Sequence, residues 1–154
     1  MTRRELLLRL LALGVATATY ARAQTGALPL PRVVFVVLAS EEGFRPFSDA
    51  FRKGMRELGQ NEDGTFRMEI LYANRDTARV PGLIRDAVAN RASVLVLSGL
   101  TAVRHAREAT TTVPVVVATS GDLVDAGFAS SFARPGGNIT GLNDLGDELA
   151  AKRL

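Results

Sequence analysis

Apolar and polar positions follow one another along the chain in a pattern that predicts strands and helices in turn. Continuous apolar runs at residues 33–38 and 94–97 are typical of strands that helices cover on both faces of a parallel sheet. A third run, at residues 115–118, begins after Pro114, which lacks an N–H donor and is tolerated at the start of a strand. Residues 66–70 alternate strictly between apolar and polar side chains and the run continues through residues 71–72, which predicts a strand at the sheet edge.

Apolar residues at helical spacing predict helices between these strands. The predicted helices cover residues 47–58, 80–88, 101–110 and 123–132, and residues 139–142 predict a brief fifth strand. The inner face of the first helix is predicted to carry Phe47, Phe51, Met55 and Leu58. Strands and helices that alternate with short loops predict an α/β fold, an open parallel sheet with helices on both faces, right-handed crossovers and the flavodoxin-like strand order 2-1-3-4.

Residues 1–23 have the features of a signal peptide rather than of a folded domain. A pair of arginines near the start precedes an apolar stretch over residues 6–18, and small residues precede a cleavage site after Ala23. The arginine pair also resembles a twin-arginine motif, so the general secretory and the twin-arginine routes both stay open. The sequence therefore predicts export to the periplasm, with a linker over residues 24–31 after the cleavage site.

Charge and composition narrow the function classes. Residues 1–23 contain four arginines and one glutamate, a net charge of +3, which equals the +3 of the whole chain, so residues 24–154 are neutral. The high isoelectric point belongs to the export signal, and nothing in the charge points to nucleic acid as a partner. Since the chain has no cysteine and only one histidine, His105, we expect no disulfide, no metal site and no cofactor.

Polar and glycine residues stand where the predicted strands end. In an open parallel sheet the carboxyl ends of the strands share one edge, at which ligands bind. Glycine lets a ligand approach the backbone, and a helix N-terminus offers N–H groups to a carboxylate or a phosphate. The same residue types also cap helices and form turns, so capping stays open as the role of each. The candidate ligand-binding residues are Ser40, Glu41, Ser98, Gly99, Thr101, Thr119, Ser120 and Asp122.

Two further features belong to this edge or to the helices beside it. Residues 73–76 form a fourth loop after a strand, and Tyr72 before it either stacks on a ligand or packs in the edge strand. His105 lies between Arg104 and Arg107 in a predicted helix, which favours a solvated surface position.

The usual catalytic motifs do not occur in the sequence. It has no glycine-rich dinucleotide motif, no P-loop and no nucleophile elbow, so a binding protein without catalytic residues is the leading hypothesis. The second hypothesis is an exported flavodoxin-like enzyme of the hydrolase type, and the third is a periplasmic ligand-sensing domain. The hydrolase would need a catalytic pair among Glu41, His105, Ser120 and Asp122.

A glycine-rich segment near the end of the chain is the most specific motif. Residues 133–142 read ARPGGNITGL and residues 146–154 read GDELAAKRL. Together they closely resemble a segment of the ABC-transporter substrate-binding proteins of the tryptophan and uncharacterised-solute type. Residues 47–59, 98–102 and 112–124 are similar to that family as well, and the resemblance extends over residues 32–154.

The resemblance implies the type I periplasmic-binding-protein fold, in which a solute is trapped between two lobes joined by a hinge. Residues 32–137 would be the first ligand-binding lobe, and residues 138–154 the hinge strand and the start of the second lobe. The implied hinge residues are Asn138, Thr140, Gly141 and Asn143, and the implied ligand-facing positions are Ser40, Ser98, Gly99, Thr101, Thr119 and Asp122.

The resemblance also implies partners: an amino acid or a similar small polar or aromatic solute, and an ABC permease in the inner membrane. Members of the family continue well beyond this length. We therefore expect a truncated product with half a cleft and weak solute binding or none, because a pocket normally buries most of a small ligand's surface.

Overall fold

The computed structural model of the protein describes most of the chain that follows the predicted export signal. The described residues are 29–119, 121–131 and 133–143, with the backbone alone for Thr119 and Asn143. The predicted signal peptide, Ser120 and the predicted start of the second lobe after Asn143 lie outside them. Within the described ranges, no helix combines the length and the apolarity needed to cross a membrane.

Five parallel strands form one open sheet in the order β2-β1-β3-β4-β5. The strands are β1 (Arg32–Val37), β2 (Arg67–Tyr72), β3 (Val94–Ser98), β4 (Val115–Thr119) and β5 (Ile139–Asn143). The predicted fold class and strand order are confirmed, and β5 extends the sheet beyond β4. The segment with the alternating pattern forms β2, which lies at a sheet edge as predicted.

Three helices and a short 3-10 turn connect the strands. They are α1 (Glu41–Glu57), the turn Thr77–Arg79, α2 (Val80–Ala89) and α3 (Leu100–Ala109). The first helix begins six residues earlier than predicted, because Ser40 caps it: the Gly43 N–H donates to the Ser40 hydroxyl oxygen at 3.4 Å. Glu41 and Glu42 in the first turn add favourable charge at the positive end of the helix dipole.

The helix predicted over residues 123–132 is wrong. The chain makes hydrogen-bonded turns at 123–127, in which the Ala126 N–H donates to the Asp122 carbonyl at 3.1 Å. Gly127 then has φ of +70°, a left-handed conformation that ends a helix. The apolar residues still reach the core, since Leu123 is 1% exposed.

One face of the sheet, here called the packed face, carries the hydrophobic core. The fully buried Ile84 of α2 and Val103 of α3 cover it, and the small Ala102 and Ala106 let α3 approach closely. Successive residues of a strand point to opposite faces, so alternate residues supply this core. The strand residues of the packed face are Val34, Val36, Leu95, Leu97, Val115, Val117 and Ile139.

The opposite face, here called the α1 face, is covered by α1 over β1 and β2. The ring of Phe35 lies 4.9 Å from that of Phe51, between ring centres, and 5.9 Å from that of Phe44. Phe51 also contacts the buried Phe66 ahead of β2, at 6.3 Å between ring centres. These four aromatic rings bind α1 to one half of the sheet.

The other half of the α1 face is uncovered by any element in the described chain. Val116 is 38% exposed and Leu142 is 77% exposed. In the run at residues 94–97, Val94 and Val96 are half-buried on this side, so the expected cover of both faces is incomplete within the described chain. The predicted inner face of α1 is also wrong in part, because Phe47 is 67% and Leu58 is 76% exposed. The strand residues of this open half are Val94, Val96, Ser98, Val116, Ala118, Thr140 and Leu142.

Candidate functional site

The loops that follow the strands lie at one edge of the sheet because all five strands are parallel. Ser98 of β3 stands opposite Ala118 of β4, and the last residues of β4 and β5, Thr119 and Asn143, are also partners. The sequence prediction that the candidate residues follow strands at a common edge is thus correct in its geometry.

The N-terminus of α3 is the most open polar feature of this edge. Gly99 occupies the cap position with φ of +82° and ψ of 147°, a conformation that glycine adopts readily and other residues do not. No side chain of the described residues caps the helix, and unsatisfied N–H groups at such an end can receive an anion. Ser98 and Thr101 are exposed, and their hydroxyls make no hydrogen bond to another described residue.

Ser98 and Thr101 line the same small cavity at this edge. Its volume is about 70 Å³, and Thr77 of the 3-10 turn brings a third hydroxyl group to it. The apolar wall of the cavity is formed by Val36, Leu38, Val80 and Ala102. Three of the strand-end segments therefore meet here, after β1, β2 and β3.

A larger apolar groove of about 420 Å³ adjoins this cavity on the α1 face. Ser98 and Leu38 line both spaces, so the groove and the cavity are neighbours that share these two residues. Phe44 and Phe47 form its aromatic side, with their rings stacked at 5.8 Å between centres and 22° between planes. The groove also has Phe35, Val37, Ala39, Val96, Leu97 and Ala118 in its lining.

Two of the predicted ligand-binding residues are engaged in capping. Ser40 caps α1, and the Asp122 carboxylate accepts from the Val124 N–H at 2.6 Å and the Asp125 N–H at 3.1 Å. These hydrogen bonds are the capping role that the sequence left open for such residues. A ligand-binding role for Ser40 and Asp122 stays a prediction.

Glu41 and Tyr72 lie together on the outer side of the edge. Both line a polar cavity of about 190 Å³ beneath α1, together with Arg52, and neither lines the cavity of Ser98 and Thr101. Burial raises the pKa of the Tyr72 phenol, and the negative charge of Glu41 raises it further. This position favours the edge-strand role of Tyr72 over stacking on a ligand held at Ser98.

The four predicted hinge residues are spread along β5. Asn138 precedes the strand at the opposite, amino edge of the sheet, where its side-chain amide donates to the carbonyls of Thr110 and Val113, at 3.3 and 2.8 Å. Gly141 is in mid-strand, and a Cβ built there would overlap the Val117 carbonyl, so close strand packing explains this glycine. Thr140 precedes it within the strand, and Asn143 ends β5 at the carboxyl edge. The hinge role stays a prediction for all four residues.

The remaining titratable candidate is His105. Its side chain is 30% exposed and lies 3.4 Å from the Glu108 carboxylate on the same helix. No contact joins it to Glu41 or Asp122 among the described residues, and the described residues contain no cluster of three metal-ligating side chains.

Sequence reasoning missed three residues of this region. Thr77 had a signal, because it follows the strand-end loop at residues 73–76. Phe44 and Phe47 had none, because the groove depends on which half of the sheet α1 covers. That coverage is a property of the topology and not of the aromatic spacing.

Comparisons with known proteins agree with this architecture. The family model described as ABC transporter substrate binding protein matches residues 32–153. A tyrosine-binding protein of Clostridioides difficile (strain R20291) is 22% identical over 94 residues, which are 61% of this chain and 27% of that protein.

Two solved structures share the fold. A conserved domain protein from Vibrio cholerae has a TM-score of 0.66 at 21% identity, over 80% of this chain and 43% of that chain. The ABC domain in complex with L-Trp from Streptococcus pneumonia has a TM-score of 0.65 at 22% identity, over 75% and 39%. The chain thus spans less than half the length of each of these relatives. Because the family model matches nearly all of the sequence after the predicted export signal, the chain belongs to the family of ABC transporter substrate binding proteins.

Proposed function

We propose that this chain is the first ligand-binding lobe of an extracytoplasmic solute-binding component of an ABC importer, and that its solute is an amino acid with an aromatic side chain. The observation that carries the proposal is that two unlike spaces lie side by side at the carboxyl edge and share two lining residues. A small cavity that contains Thr77, Ser98 and Thr101, at the N-terminus of α3, shares Ser98 and Leu38 with an apolar, phenylalanine-lined groove.

The two spaces match the two ends of such a solute. The N-terminus of α3 attracts a carboxylate through unpaired N–H groups and the positive end of the helix dipole. The hydroxyls of Ser98, Thr101 and Thr77 accept from an ammonium group or donate to the carboxylate. The groove, at about 420 Å³, is within the range of small-molecule pockets, and Phe44 and Phe47 stack on an aromatic ring. The tyrosine-binding relative and the relative in complex with L-Trp support this solute class.

Capture in this proposal requires a second lobe that closes over the edge. The cavity and groove are open to solvent on one side, so the described lobe alone buries only part of a ligand. The strand β5 ends with Asn143 at the same edge. Closure then presents the loaded protein to an inner-membrane permease. We propose the periplasm as its location, on the basis of the signal-peptide pattern in residues 1–23.

Binding is tested by an NMR titration of the full chain with L-tryptophan and L-tyrosine, which detects millimolar affinities. We expect shifts at Ser98, Gly99 and Thr101. Ser98→Ala and Thr101→Val each weaken binding by about threefold to tenfold, the equivalent of one hydrogen bond. Thr111→Val is the matched control, because Thr111 is exposed beyond the far end of α3.

Two outcomes would contradict the proposal. If neither amino acid shifts the resonances at the carboxyl edge, the lobe does not bind this solute class. If the chain turns over a generic ester or phosphate substrate, the exported hydrolase becomes the better hypothesis. Export has a separate test: N-terminal sequencing of protein recovered from the periplasm is expected to begin at Gln24.

A further inference from the structure

The loop after β2 holds two consecutive non-glycine residues in the left-handed region. Asn74 has φ of +53° and Arg75 has φ of +64°. The Asp76 N–H donates to the Ala73 carbonyl at 3.1 Å, which closes a four-residue turn around them. Positive φ at both central residues is the pattern of a type I′ turn, in which asparagine followed by glycine is strongly preferred. Arginine therefore stands where glycine is the residue that the backbone favours.

The backbone of β1 holds this turn in place. The Ala73 N–H donates to the Val37 carbonyl at 2.8 Å, and the Arg75 N–H donates to the Leu38 carbonyl at 2.6 Å. A left-handed conformation costs stability for any residue with a Cβ, and it persists only where the surrounding structure fixes it. Here the end of β1 fixes it, whatever side chain residue 75 carries.

The Arg75 side chain forms no polar interaction with the described fold. It is exposed and forms no ion pair and no hydrogen bond with any other residue of the described ranges. Other arginines of the chain form ion pairs: Arg32 pairs with Glu69, and Arg52 pairs with Glu62 at 2.6 Å. The stability lost at Arg75 is thus not offset by a described side-chain contact.

Arg91 shows what a left-handed arginine looks like when the fold explains it. Its φ is +59°, and it follows α2 at the amino edge of the sheet. The Arg91 N–H donates to the Val88 carbonyl and the Ala92 N–H donates to the Ala87 carbonyl, at 3.0 Å each. This hydrogen-bond pair is a Schellman motif, and a cation there also interacts favourably with the helix C-terminus. Arg75 has no such helix end beside it.

Arg75 is not among the residues that line the cavity of Ser98 and Thr101, but its neighbours are. Leu38, to which Arg75 is hydrogen-bonded, and Thr77, two residues after it, both line the cavity that contains Ser98 and Thr101. Local rules of folding are broken most often at functional sites, where the strained residue serves binding. We propose that the Arg75 guanidinium binds the carboxylate of the solute at the rim of this cavity. This inference rests on the proposed function and adds a specific cation to it.

The chemistry of arginine suits that role. A guanidinium donates two parallel N–H bonds to one carboxylate, which gives both energy and orientation. The N-terminus of α3 offers further donors across the same cavity, so the carboxylate would be held between the helix end and the turn. The aromatic side chain of the solute would then extend into the groove of Phe44 and Phe47.

The test is the variant Arg75→Gly, because strain and binding predict opposite changes for it. In the full chain, we expect a higher melting temperature, since glycine relieves the turn, together with about tenfold or more weaker binding of L-tryptophan. Affinity for tryptamine, which lacks the carboxylate, is expected to stay unchanged. Arg75→Lys keeps the charge without the planar fork and is expected to lose affinity partially.

Two matched controls separate strain from charge. Asn74→Gly relieves the backbone strain at the neighbouring residue, and Arg91→Gly relieves it at the arginine of the opposite edge. Neither variant is expected to change the affinity for L-tryptophan. If Arg75→Gly binds L-tryptophan as tightly as the unchanged chain, the Arg75 inference is overturned and the proposed function stands. If the unchanged chain binds neither L-tryptophan nor tryptamine, both are overturned.

Discussion

The two faces of the sheet differ in how completely they are covered. On the packed face, residues of β1, β3, β4 and β5 are buried beneath α2, α3 and the turns after Asp122. On the α1 face, one helix covers β1 and β2, and the three remaining strands are open in the described chain. The strand β4 shows the difference within two residues, since Val117 is 0% exposed and Val116 is 38% exposed.

The direction of the chain explains this asymmetry. A right-handed crossover places its helix on one face when the chain moves one way across the sheet, and on the other face when it moves back. The chain moves toward the β2 edge once, from β1, and that step places α1. The next three steps, to β3, β4 and β5, all run the other way, so their connections cover the packed face.

The open half of the α1 face nevertheless has the composition of an interior. Its strand residues are Val94, Val96, Ser98, Val116, Ala118, Thr140 and Leu142, and none of them is charged. Parallel sheets normally have both faces covered, and their strands are correspondingly apolar. The apolar composition of a sheet face therefore indicates that packing against other residues is expected there. The topology determines which part of the face the helices of the described chain actually cover.

Truncating the two adjacent valines of β4 is the strongest test of the comparison. Val117→Ala removes two buried methyl groups and leaves a cavity in the packed face, and we expect it to lower the free energy of unfolding by about 2–3 kcal/mol. Val116→Ala removes the same atoms from the open half and is expected to cost less than about 1 kcal/mol. Urea denaturation measures both; equal losses would show that the two faces are equally covered in solution.

Gly141 gives a second test, on the strand beside Val117. An alanine Cβ there would overlap the Val117 carbonyl, a backbone atom that cannot rotate away. We expect Gly141→Ala to cost about 2 kcal/mol through disturbed pairing of β4 and β5. Gly137→Ala is the control, since nothing lies within 4 Å of its added Cβ and it should change stability by less than about 0.5 kcal/mol. A neutral Gly141→Ala would show that the strands separate easily, as a hinge at this position requires.

Much of the fold could be predicted from the sequence because its periodicities are local. The runs at residues 33–38 and 94–97 marked strands, and the glycine-rich segment at residues 133–142 marked the family. The helix predicted over residues 123–132 was wrong because Gly127 has a positive φ, which a local apolar pattern does not reveal. The open half of the α1 face could not be predicted either, because it depends on the direction of three crossovers.

The candidate site divides in the same way. Ser98, Gly99 and Thr101 were identifiable because a strand end followed by glycine and a helix start is a local pattern. The roles of Ser40 and Asp122 were not, because capping and ligand binding use the same side chains and differ only in hydrogen-bond geometry. Arg75 lay in the fourth strand-end loop, at residues 73–76, but its positive φ could not be predicted, because hydrogen bonds to Val37 and Leu38 at the end of β1 impose it.

A hydrophobic dye provides the third test of the comparison. Anilinonaphthalene sulfonate fluoresces when it binds exposed apolar surface. The open half of the α1 face is a continuous apolar surface among the described residues. We expect the double variant Val116→Lys, Leu142→Lys to lower the dye fluorescence while changing the free energy of unfolding by less than about 1 kcal/mol. Leu58→Lys is the control, because Leu58 is 76% exposed but lies at the far end of α1. Equal fluorescence losses in both proteins would place the dye elsewhere.

The smallest expected effect concerns the covered half, where Tyr72 lies beneath α1. Burial, with a smaller contribution from Glu41, raises the pKa of the Tyr72 phenol above its usual value of 10.0. A phenol that keeps its proton longer in the folded state stabilises the fold below the unfolded pKa, and this contribution is lost as the pH rises through the folded pKa. A Tyr20→Phe background leaves Tyr72 as the single phenol, whose ionisation is followed by absorbance. If Tyr72 ionises at its ordinary pKa, α1 does not shield this end of β2, and the coverage of the two halves differs less than the structure shows.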